Sequence, residues 1–104
     1  MIENTKLNPM KVDKVHYKGF TYIAQKPIYI ELRKEYGYFI AHNEEIGINH
    51  AYFETMKELK ESIPEEIHIV WNQYAEADDN KLSGDAIELK NRLLKIFRKV
   101  NNEA

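Results

Sequence analysis

A chain of 104 residues, 43% of them hydrophobic and 12% aromatic, has the length of one domain and can bury a modest core. Its 15 basic and 17 acidic residues leave a formal charge of −2, the balance of an ordinary soluble surface and not the net basic field of a dedicated nucleic-acid binder. With no cysteine, disulfide scaffolds, thiolate zinc sites, iron–sulfur clusters and a cysteine nucleophile are excluded together.

The opening stretch, "MIENTKLNPMKVDK", has no apolar run resembling a signal peptide, and no segment of the chain is apolar enough to span a bilayer. A cytoplasmic location is the expectation. Residues 1–11 are polar and interrupted by Pro9, so they read as a flexible arm. The sheet is expected over residues 12–53. "VDKVHY" and "FTYIA" flank Lys18-Gly19, a hairpin turn, and Pro27 marks a break.

The clearest strand is "IYIELR", where Ile28, Ile30 and Leu32 share one face and Tyr29, Glu31 and Arg33 the other. "KEYG" supplies a turn, with Gly37 free to take a positive φ. "YFIAH" returns as the partner strand, and "GINHAYF" follows the loop "NEEI" as a third.

The remainder, residues 54–101, reads as helical. Phe53, Met56, Leu59 and Ile63 recur at helical spacing, and Ile67, Val70, Trp71 and Tyr74 continue the stripe. Pro64 predicts a break or kink near Ser62 and Ile63 between helices over 53–63 and 64–77, with Ser62 and Glu65 forming a capping box. The last helix starts at "LSGDAI" with Ser83 as N-cap and carries Ala86, Leu89, Leu93, Ile96 and Val100 as its stripe. Strands first and helices after define an α+β domain: an antiparallel meander of three to five strands with two or three helices on one face.

Candidate chemistry is thin. His42 and His50 can meet across adjacent strands, with Glu44 or Glu45 as a carboxylate ligand, which would suit zinc or iron in a small metal-dependent hydrolase. That spacing matches no local metal motif, and solvent-facing histidines at strand ends are the simpler reading. Adjacent carboxylates such as Glu44 with Glu45 or Asp78 with Asp79 make poor acid–base pairs, because neighbours on a strand point to opposite faces. "DDNKLSGDAIELK" fails as a calcium loop, since Lys90 falls where a bidentate Glu is required. No nucleophile elbow, phosphate loop or dinucleotide fingerprint is present. The sequence therefore predicts a non-enzyme with no cofactor and no resident metal.

Two surfaces suggest binding. Lys90, Arg92, Lys95, Arg98 and Lys99 make the last helix basic toward its end, the basis for a weak nucleic-acid binder, although no helix-turn-helix partner accompanies it. Seven tyrosines are the stronger signal. Tyr29, Tyr38, Ile40 and Tyr52 are the interface candidates, with Tyr29 and Tyr38 expected to stack across strands on the outer face of the sheet.

The pieces "IYIELRKEYGYFIA", "EEIGI" and "FETMKELKESI", within residues 28–63, resemble the HicB-like antitoxin family, a truncated relative of the ribonuclease H fold. The resemblance implies a non-enzymatic protein that dimerises or pairs with a small RNA-cleaving toxin. Full-length members often add a DNA-binding module, which is not recognisable here, and neither is the ribonuclease H carboxylate set.

Overall fold

Two tight turns organise the sheet. Lys18 and Gly19 both take positive φ (45° and 81°), as do Tyr36 and Gly37 (50° and 82°); this is the type I′ geometry whose twist matches that of the flanking strands. The computed structural model describes residues 4–102, apart from the side chain of His50. The turns join three antiparallel strands, β1 (Asn4–Tyr17), β2 (Phe20–Glu35) and β3 (Tyr38–Asn43). "EEI" then closes as a single 3-10 turn in which Asn43 Oδ1 accepts from the Ile46 amide at 3.2 Å. β4 (Ile48–Phe53) returns along β3.

The arm expected over residues 1–11 is strand from Asn4 onward. Leu7 pairs with Leu32 and Met10 with Ile30 across β2, so both turn toward the core. A register shift between them places Asn8 and Pro9 in a bulge, where a missing amide costs the ladder nothing. A second shift, between Val12 and Lys14, absorbs extra residues of β2 around Pro27.

The helical layer begins with α1 (Met56–Val70). Thr55 is its N-cap, its hydroxyl accepting from the Glu58 amide and donating to the Glu58 carboxylate, both at 3.1 Å. The expected break at Pro64 does not occur, and α1 runs through it. Pro64 sacrifices one backbone bond and adds a steric cost, about 3 kcal/mol in an isolated helix. Leu59 and Ile63 before it, and Ile67 and Val70 after it, are all buried in the core, and this tertiary packing holds both halves in line. Ser62 donates to the Leu59 carbonyl at 2.7 Å instead of capping a new helix. A π-helical turn, Trp71–Ala75, ends the run.

α2 (Gly84–Ile96) starts at the expected cap, with Ser83 Oγ accepting from the Ala86 amide. It stops four residues before the helical stripe was expected to end at Val100. Phe97–Asn101 form a strand, β5, that pairs with Phe20–Ala24 of β2. The first five residues of β2 would otherwise have no neighbour on that side, and β5 lets Phe97, 2% exposed, enter the core. Asn102 locks the end, its amide donating to the Gly19 carbonyl at 2.8 Å.

β3 and β5 lie end to end on the side of β2 opposite β1. One core cluster joins Leu59, Ile63 and Ile67 of α1 and Leu93 of α2 to Val12, Tyr22, Ile30, Leu32 and Ala41 of the sheet. The result is the α+β architecture expected: an antiparallel five-stranded sheet with its helices on one face.

Candidate functional site

The face of the sheet away from the helices is built by simple alternation. Ile30 and Leu32 of β2 enter the core, so Tyr29, Glu31, Arg33 and Glu35 stand on the other side. Register carries that face across the neighbouring strands, because direct cross-strand partners share a side. Glu35 faces Tyr38, Arg33 faces Ile40 and Glu31 faces His42; Ile40 in turn faces Tyr52. On the β1 side, Arg33 faces Lys6 and Tyr29 faces Lys11. A continuous row, Lys6–Arg33–Ile40–Tyr52, thus crosses four strands.

Tyr29, Tyr38 and Tyr52 are 56%, 46% and 62% exposed, whereas Ile40 is 1% exposed. Ile40 lies outside the core cluster, so its cover comes from side chains of its own face. Arg33 is its direct partner, and Arg33 Nε is buried without a hydrogen bond among the described residues, as fits a guanidinium stem laid along apolar surface. The four interface candidates therefore share one face. The expected stacking of Tyr29 on Tyr38 is absent: Tyr38 sits opposite Glu35, six residues along β2 from Tyr29.

Two of the edge strands, β1 and β4, are guarded. β1 carries Lys6, Lys11 and Lys14, Pro9 and the Asn8–Pro9 bulge. β4 has its own irregularity, since Ala41 pairs with Ala51 but Asn43 with Ile48. Lysines, proline and bulges all oppose the addition of a further strand.

His42 faces Glu31 across β2 and β3, and Glu44 is exposed in the 3-10 turn. His50 belongs to β4 by its backbone, but its side chain lies outside the described residues. Among the described residues, no group of three His, Cys, Asp or Glu side chains could hold a metal ion. Asp79 is committed to Lys90 at 2.8 Å and Asp78 to Lys81 at 4.0 Å.

The basic residues near the C-terminus do not form one stripe. Lys90 donates to the Ala77 carbonyl and to Asp79, and Arg92 to the Glu45 carbonyl. Lys99 pairs with Glu76 at 3.0 Å and lies 4.2 Å above the Phe20 ring on the core side. Arg98, on the next position of β5, is exposed on the opposite face. Lys95 lines a cleft of about 490 Å³ that opens between β3 and β5, where residues 25–30 of β2 have no strand on that side.

A polar cluster under the sheet carried no sequence signal. Tyr22, fully buried, shares a 2.6 Å hydrogen bond with His68 Nδ1, and Asn72 Nδ2 lies 3.1 Å from His68 Nε2. Tyr17, Phe20 and Tyr22 surround the imidazole. Burial pushes the Tyr22 phenol up to about 12, with the Glu76 charge adding to it. Burial also holds His68 below the ordinary histidine value, and the nearby Lys99 works in the same direction. The hydrogen bond between Tyr22 of β2 and His68 of α1 ties the sheet to the helix.

The chain matches no protein-family model, no curated protein and no solved structure. No helix among the described residues is long and apolar enough to cross a membrane.

Proposed function

We propose that this chain is a cytoplasmic, non-enzymatic binding module that acts by protein–protein contact through the helix-free face of its sheet. The observation that carries the reading is the trio Tyr29, Tyr38 and Tyr52, left exposed on this face, with Tyr52 directly opposite the buried Ile40. Tyrosine gives large contact area at small entropic cost and is enriched at interfaces. The guarded edges favour face packing over strand addition.

The resemblance of residues 28–63 to HicB-like antitoxins supports a narrower form of the same reading, in which the module binds a small RNA-cleaving toxin. The turn at Gly37 and the strands on either side of it, which carry that resemblance, also hold Tyr29 and Tyr38 in place.

The test is capture from the native cell extract with wild-type protein and with Tyr29→Ser/Tyr38→Ser/Tyr52→Ser. The proposal expects one partner to be retained by wild type and lost by the triple variant, with circular dichroism unchanged. Equal retention by both proteins, or no partner and a strictly monomeric wild type, would overturn it.

A further inference from the structure

The charge on the helix-free face differs in sign from that of the chain. Register and alternation place Lys6, Lys11, Lys14, Arg33 and Arg98 on it. Against them stand Glu31 and Glu35, together with Asp13, which sits 3.8 Å from Lys11. Among the described residues, five basic against three acidic side chains give the face +2, while the whole chain carries −2. Lys6, Lys11, Lys14 and Arg98 are all exposed, and only Lys11 among these four has an ion-pair partner among the described residues.

We infer that the face takes a protein partner with an acidic rim around an aromatic or apolar centre, and not a second copy of this chain. The inference rests on the protein-contact reading above and adds the partner's chemistry. Packing two copies face to face would bring together two surfaces that each carry net positive charge, and like charge across an interface disfavours that pairing. An acidic rim instead engages Lys6, Lys11, Lys14 and Arg98 while the centre covers Tyr29, Tyr38 and Tyr52. Glu31 and Glu35, interleaved with the cations, weaken the face for a polyanion that presents phosphate at every residue.

The experiment uses defined probes. A fluorescent random copolymer of glutamate and tyrosine is titrated with wild-type protein, with Lys6→Ser/Lys11→Ser/Lys14→Ser, and with the triple tyrosine variant. A fluorescent oligothymidylate is titrated in parallel, and the protein alone is sedimented over a range of concentrations. The inference expects saturable copolymer binding that weakens with salt, falls about tenfold in the lysine variant, and falls again in the tyrosine variant. It expects weaker binding of oligothymidylate and a monomer in sedimentation. Preferred binding of oligothymidylate would reassign the face to nucleic acid, and a concentration-dependent dimer lost in the tyrosine variant would reassign it to a second copy. Either result, or no copolymer binding, overturns the inference. If extract capture still depends on the tyrosines while the lysine variant is silent, the contact face stands and the acidic-partner inference alone falls.

Discussion

Ile40 and Tyr52 are direct cross-strand partners on one face of the sheet, yet Ile40 is 1% exposed and Tyr52 62%. The pair separates two roles on a surface without a helix over it. Ile40 is a small apolar floor sealed by its neighbours, and Tyr52 is apolar area left in water.

The two residues should respond differently to substitution. Ile40→Ala removes a buried side chain and should cost about 2–4 kcal/mol, read as a lower urea midpoint. Tyr52→Ser should change stability by less than about 1 kcal/mol while abolishing partner capture. Comparable losses of stability in both variants would mean that Tyr52 serves the fold.

The tie between Tyr22 and His68 should make stability pH-dependent at both ends. His68 in the folded chain titrates below its ordinary value, so as pH falls below about 6.5 the unfolded chain takes up the proton first. Its contribution is therefore present above that pH and fades as pH drops toward the lower folded value. Urea midpoints of His68→Gln should vary less between pH 7.5 and pH 5 than those of wild type; parallel profiles would show that the imidazole is not held neutral by its surroundings.

At the alkaline end, Tyr22 is pushed up to about 12, so the unfolded phenol ionises first and its contribution is lost as pH rises from about 10. Tyr22→Phe should blunt that alkaline loss. An unchanged profile would remove burial of the phenol as its cause.

Gly47 ends the 3-10 turn at φ 75°, and a Cβ there would sit 3.1 Å from Leu89 Cδ2. Gly47→Ala should cost about 1–3 kcal/mol, from backbone strain as well as crowding. Leu89→Ala in the same chain relieves the crowding and not the strain, so it should not restore the wild-type melting temperature. Full rescue would place the whole cost in the side-chain contact.

Zinc and chelator should leave the melting temperature unchanged. A rise with zinc that disappears in His42→Ala would instead favour a site built by His42 with the neighbouring strand.

The middle of the chain was legible because strict alternation in "IYIELR" and the glycine after Tyr36 leave one good solution, and helix caps at Ser83 mark a start that holds. Two ends were not legible, for different reasons. Near the N-terminus, the bulge at Asn8–Pro9 breaks the alternation that identifies a strand. Near the C-terminus, "FRKV" contains no breaker, and Val100 falls four residues after Ile96, so a helical stripe runs unbroken into what tertiary pairing makes β5. The helix-free face was half legible. Its tyrosines follow from β2 and β3 alone, whereas its lysines depend on a β1 register that the bulges conceal. Tyr22 and His68 lie 46 residues apart, and their pairing exists only once α1 is laid on the sheet.

Site-specific photo-crosslinking in the cell of origin distinguishes partner contact on the helix-free face from contact on the helices. A benzoylphenylalanine placed at Tyr38 or Tyr52, on the open face, should give a discrete crosslinked product. The same probe at Lys57 or Glu61, exposed on α1, should give none. Crosslinks from α1 with silence from Tyr38 and Tyr52 would contradict the account.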